Sequence, residues 1–193
     1  MLVKQRIYLG LINYNFMIIT ISGLPGSGKS TIADILAEKL SMKRYSVGDF
    51  RRDLAKKKGL TINEFNKLGE SDKSTDNVAD EWQTNIGKTE DDFIIDGRLS
   101  FYFIPNSIKI LLTVKPEVGS ERNYHIKKEE EKTEDLKEAV CQWHDRVESD
   151  VKRYKKYYDI NPYSEEHYDF VIDTTKFTIE EVVEKVKRFI ENR

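Results

Sequence analysis

The sequence has one cysteine, Cys141, three histidines, four prolines and a net charge of only -2 over 193 residues. A lone cysteine makes no internal disulfide, and no Cys/His set stands at zinc-ligand spacing, so a disulfide framework and a structural zinc site are excluded. The expected setting is a reducing, cytoplasmic one. With 32 Lys plus Arg against 34 Asp plus Glu, the chain lacks the general basic surface that holds duplex nucleic acid or anionic lipid. Scarce proline and glycine, with 38% hydrophobic residues, exclude a low-complexity chain. At roughly 100 to 200 residues per domain the length excludes two independent enzymatic domains, and a monomer is expected.

One stretch lacks charge altogether, from Ile7 to Gly28. After Lys4 and Arg6 it could pass for a signal peptide or membrane anchor, but Asn13, Asn15, Thr20 and Ser22 interrupt it and Gly23 to Gly28 break it. No membrane association is expected. Residues 1 to 16 read as an extension or a mis-assigned start, and 17 to 193 as a single domain.

Short apolar, β-branched runs predict strands at Met17 to Ser22, Arg44 to Ser46, Asp92 to Ile95, Ile108 to Val114 and Asp169 to Ile172. Helical periodicity fills the gaps: Ser30 to Leu40, most of 47 to 87, Pro116 to Arg122, Thr133 to Tyr157 and Thr178 to Asn192. Capping boxes start two of these helices, at Thr61 with Glu64 and at Thr178 with Glu181. Strands alternating with helices predict an α/β fold on a parallel sheet. The run from Lys127 to Lys132 places three glutamates between lysines and reads as a solvated segment.

Residues 23 to 30 read Gly-Leu-Pro-Gly-Ser-Gly-Lys-Ser, a full G-x-x-x-x-G-K-[ST] pattern between a strand and a helix. Glycines allow consecutive amides to turn inward around an anion, and the helix beginning at Lys29 adds its positive end. The pattern points Gly23, Pro25, Gly26, Ser27, Gly28, Lys29, Ser30 and Thr31 at the phosphates of a donor nucleotide. Lys29 would reach the β- and γ-phosphates and Ser30 would ligate Mg2+. The strand Phe93-Ile94-Ile95-Asp96 ends in a carboxylate suited to the same ion. Read alone, Asp96-Gly97 is an ordinary turn; the following Arg98 sits where a βα loop faces a ligand crevice.

With these residues in place, the sequence resembles the nucleoside monophosphate kinases, and among them the short archaeal type of cytidylate kinase. The resemblance rests on Ser46-Val47-Gly48-Asp49-Phe50-Arg51-Arg52 after the second strand, Asp96-Gly97-Arg98 after the third, and Arg146-x3-Asp150-x2-Arg153 later. It covers about Met17 to Ile190 and implies a P-loop NTPase fold of three α/β/α layers. The implied sheet is five-stranded and parallel in the order 2-3-1-4-5, with a helical monophosphate-binding insertion over 47 to 88 and a short lid over about 122 to 145.

It also implies roles. Ser46, Asp49, Arg52, Arg98, Arg146, Asp150 and Arg153 face the acceptor, Arg122 is the first lid arginine, and Lys29, Arg98, Arg146 and Arg153 act on the transferring group. Positions 146, 150 and 153 fall on one helix face; without the other motifs they would read as a surface salt-bridge ladder. Arg51, Tyr45 and Trp82 are expected in packing or surface roles, and Tyr154, Tyr157 and Tyr158 as packing under the long helix. The expected reaction is ATP-dependent phosphorylation of CMP or dCMP. The alternatives are another monophosphate or small-metabolite acceptor, or an adenylate-kinase-like ATPase that serves as an assembly factor.

Overall fold

Alternation decides how the first strand is covered. Ile19 and Ile21 of β1 (Ile18–Gly23) are fully buried on one face, where they meet Ile32, Leu36, Val183 and Val186. On the other face Thr20 bonds Ser107 (Oγ1 to Oγ, 2.9 Å), and Ser22 Oγ donates to the Gly97 carbonyl at 2.9 Å. A strand enclosed on both faces belongs inside a parallel sheet. The structure, a computed structural model, describes residues 17 to 126 and 135 to 193. The expected extension over 1 to 16 and the whole charged run from Lys127 to Lys132 lie outside them.

The other strands are β2 (Lys43–Ser46), β3 (Phe93–Asp96), β4 (Ile108–Thr113) and β5 (Phe170–Asp173), all parallel, in the order β2-β3-β1-β4-β5. This is the expected order, and each strand lies within about a residue of its predicted run. One face of the sheet packs against α1 (Lys29–Lys39) and α8 (Ile179–Glu191). On the opposite face Phe93 and Ile95 pack with Ile86 and Ile104. The α8 capping box forms as expected, Thr178 Oγ1 accepting from the Glu181 amide at 3.2 Å while Glu181 accepts from the Thr178 amide at 2.8 Å.

Between β2 and β3 the chain folds into α2 (Val47–Lys57), α3 (Ile62–Gly69) and α4 (Ser74–Thr89). Phe65, Ala55 and Ile62 give them a small core of their own. A short α5 (Ser100–Phe103) follows β3 and was not legible in the sequence; α6 (Pro116–Ile126) begins at the expected proline and extends past Arg122. The long α7 (Leu136–Tyr158) begins behind Asp135, whose side chain accepts from the Glu138 amide. No described helix is long and apolar enough to cross a membrane.

Parallel register brings the ends of all five strands to one edge of the sheet, where open α/β sheets bind ligands. Ile21 and Ser46 both lie opposite Asp96. The glycine loop, Ser46, Asp96 and the loop after β5 therefore share that edge.

Candidate active site

The glycine loop is held from both sides. Leu24 donates its amide to the Leu112 carbonyl at 3.1 Å, and Trp143 Nε1 donates to the Pro25 carbonyl at 2.7 Å. Gly26 and Gly28 take φ of +75° and +85°, conformations that a side chain strains. A Cβ at Gly26 would also overlap the backbone of Gly119, which presses against the loop from α6. Among the described residues nothing accepts the amide hydrogens of Gly26 and Gly28. They are unspent donors beside the N-terminus of α1, the arrangement that binds phosphate.

Ser30 Oγ lies 3.1 Å from Asp96 Oδ2 as a donor. Asp96 is 1% exposed, and its Oδ1 faces Arg44 Nη2 at 2.7 Å, close in distance but without hydrogen-bond alignment. A hydroxyl and a buried carboxylate with unspent acceptor capacity are the hard oxygen donors that magnesium takes. The residues present fit that ion.

Lys29 is half-buried. Its pKa is lowered from 10.5 to about 8, by burial first and by Arg98 and Arg146 after it, against the opposing charges of Asp96 and Asp150. Five groups predicted separately in the sequence, Lys29, Asp96, Arg98, Arg146 and Asp150, thus stand near enough to feel one another's charge. A cleft of about 450 Å³ lies between Pro25, Asn63 and Asn66 of α3, Asn123 of α6, and Arg146 and Asp150 of α7.

Arg98 follows a tight turn in which Gly97 donates to the Ile21 carbonyl at 3.1 Å. Its Nε contacts Asp150 Oδ2 and donates to Tyr163 Oη at 3.1 Å. Burial works against the Arg98 charge, but Asp150 and Tyr163 outweigh it and hold the pKa above the usual range. Arg153, 3% exposed, lies behind Asp150, with Nη2 3.3 Å from Oδ1 and 2.9 Å from Tyr154 Oη. Arg146 is half-buried on the cleft wall. The three predicted α7 positions share a face, graded from the cleft at Arg146 to the interior at Arg153.

The remaining predicted residues lie at the rim. Ser46 caps α2, its Oγ accepting from the Asp49 amide at 3.2 Å, and Asp49 Oδ1 accepts from Arg52 Nη2 at 2.6 Å. Arg122 reaches across to the glycine loop, donating to the Thr174 carbonyl at 3.0 Å and to the Gly26 carbonyl at 3.4 Å. It borders a second hollow of about 340 Å³ reaching from Gly28, Lys29 and Thr31 to Phe177, Ile179 and Val182.

Three residues were not assigned to the site from sequence. Arg44 touches Asp34, Asp49 and Asp96. Arg51, expected in packing or at the surface, is buried and paired with Asp76, which also faces Arg153 Nη1 at 3.6 Å. Tyr163 joins Arg98 to Asp150. Trp82 has the expected packing role, stacked on Phe50 with ring centroids 4.3 Å apart.

A phosphate-binding loop, an adjacent Ser–Asp oxygen pair and an arginine-lined second cleft, all on a 2-3-1-4-5 sheet, define a P-loop kinase of the nucleoside monophosphate class. Comparison with known proteins narrows the class. The chain belongs to the cytidylate kinase-like family, whose profile matches residues 18–176. It is 39% identical over 176 residues to a cytidylate kinase from Archaeoglobus fulgidus, covering 91% of this chain and 95% of that one. It is 38% identical over 181 residues to a cytidylate kinase from Methanocaldococcus jannaschii, covering 91% and 98%. Among solved structures, a shikimate kinase from Bacteroides thetaiotaomicron superposes with a TM-score of 0.62 at 14% identity, over 91% of this chain and 99% of that one. That likeness concerns the fold alone.

Proposed function

We propose that the protein transfers the γ-phosphoryl group of ATP to the phosphate of CMP or dCMP, giving ADP and the cytidine diphosphate. The observation that carries this reading is the cleft lined by Arg146 and Asp150, with Arg98 paired to Asp150 beside it and the Ser30–Asp96 contact at the glycine loop. The family relationship supports the acceptor class.

No protein base is needed, because an acceptor phosphate oxygen is already the nucleophile. The chain supplies position and positive charge. The amides of the loop from Gly23 to Gly28, with Pro25 and Ser27 shaping it, and Lys29 hold the donor phosphates; Thr31 and Arg122 border the rest of the donor. Ser30 and Asp96 would hold magnesium. When bound, that ion would supply positive charge against the charge that develops on the transferring group. Arg98 and Arg146 clamp the acceptor phosphate with the planar forks that lysine lacks, and Arg153 acts through Asp150. Ser46, Asp49 and Arg52 present the insertion over 47 to 88 to the acceptor.

Replacing Arg98 by alanine tests the assignment. Transfer to CMP is expected to fall to a small residual rate while ATP still binds; an unchanged transfer rate would remove the arginine, and the acceptor cleft with it, from the reaction.

A further inference from the structure

Asp150 and Arg98 come from different elements, α7 and the turn after β3, and a third group bonds to both members of the pair. Tyr163 Oη donates to Asp150 Oδ2 at 2.9 Å and accepts from Arg98 Nε at 3.1 Å. A phenol is suited to this place because one oxygen both gives and takes a hydrogen bond. Burial pushes the Tyr163 phenol upward and the Asp150 charge adds to the shift, so it keeps its proton.

The loop that carries Tyr163 is itself fixed. Asp159 ends α7 in a left-handed conformation with φ of 57°, and Asn161 Oδ1 accepts the Tyr163 amide at 3.0 Å. Tyr168 Oη donates to the Pro162 carbonyl. Tyr168 also packs in the apolar cluster of Leu99, Phe101 and Tyr154, so the residue after Arg98 and the residue after Arg153 are held with this loop. Arg98 is engaged through Nε alone. Its two terminal nitrogens make no hydrogen bond among the described residues.

We infer that Tyr163 is a positioning residue for phosphoryl transfer: its hydroxyl, seated between Asp150 and the Nε edge of Arg98, aims the free fork of Arg98 at the acceptor phosphate. An arginine held by its inner nitrogen keeps two parallel donors for an anion, whereas one paired through the fork would not. Asp150 anchors the arrangement but alone leaves Arg98 free to pivot about a single contact. The phenol supplies the second. This inference rests on the reading of the cleft as the acceptor site.

The test is Tyr163→Phe, which keeps the ring and removes the bridging oxygen, assayed beside wild type, Arg98→Ala and the double variant. Loss of a hydrogen bond to charged partners is expected to lower kcat/KM for CMP roughly 10- to 100-fold. The KM for ATP should not change, and the double variant should be no slower than Arg98→Ala alone. A merely structural tyrosine would affect both substrates and add to the Arg98 effect, and either result would overturn the inference. A wild type that phosphorylates CMP, matched by an equally active Tyr163→Phe, would overturn this inference alone. A wild type that phosphorylates no monophosphate would overturn the functional reading and this inference with it.

Discussion

Ser30 and Asp96 stand 66 residues apart in sequence, yet their oxygens meet at 3.1 Å at the edge where β1 and β3 end. Parallel register alone brings them together, since Ile21, at the end of the apolar strand before the glycine loop, pairs with Asp96. The contact joins the loop proposed to take the donor phosphates to the carboxylate proposed to share their metal.

Asp96→Asn keeps the shape but removes the one formal negative charge that the Ser30–Asp96 pair offers a cation. The expected loss in kcat is roughly 100-fold, the scale of removing one preorganised electrostatic group, with a higher magnesium concentration needed for half-maximal rate. Ser30→Ala should show the same magnesium dependence with a smaller loss. Rates measured across a magnesium titration check both, and an unshifted titration would remove the pair from the ion's site.

The glycine loop depends on a glycine outside its own motif. A Cβ at Gly119 would come within 2.7 Å of the Pro25 carbonyl and 2.8 Å of Trp143 Nε1. Both are firmly held, so Gly119→Ala should displace the loop, cost roughly 1 to 3 kcal/mol of stability, and weaken ATP binding more than CMP binding. Calorimetric titration with each nucleotide, beside a thermal melt, measures this; equal weakening of both would argue against it.

Lys29 gives the protein a specific pH dependence. Its folded pKa of about 8 lies below the usual 10.5, so between these values the unfolded chain holds a proton that the folded chain has released. Unfolding then takes up a proton, and this residue makes the ligand-free protein more stable as pH rises from about 8 to 10.5. Lys29→Met should lack that rise in denaturant titrations compared with wild type. Donor affinity should run the other way, falling as pH rises through about 8 and the charge that meets the triphosphate is lost.

The fold was legible because each strand is a short β-branched run ended by a turn, and because the glycine loop has fixed spacing between strand and helix. Arg51 and Arg52 show where legibility stops. Neighbours on a helix point about 100° apart, so one must turn inward, but the sequence does not say which. The structure buries Arg51 against Asp76 and leaves Arg52 at the rim with Asp49. Tyr163 was illegible for a different reason: it lies 13 residues beyond Asp150, outside any helical spacing, and only the chain's return toward β5 brings the two together. The near balance of 32 basic and 34 acidic residues likewise conceals how near Arg98 and Arg146 stand to Lys29.

The central claim is that the cleft lined by Arg146 and Asp150 accepts a cytidine monophosphate. Its most direct test is ADP formation from ATP and magnesium with CMP, dCMP, UMP and AMP supplied separately at equal concentration. The account predicts that CMP and dCMP turn over at least about tenfold faster than the others, the scale of one well-placed polar contact, and that ATP alone is hydrolysed slowly. ADP formation indifferent to the monophosphate supplied, and unchanged in Arg98→Ala, would contradict it.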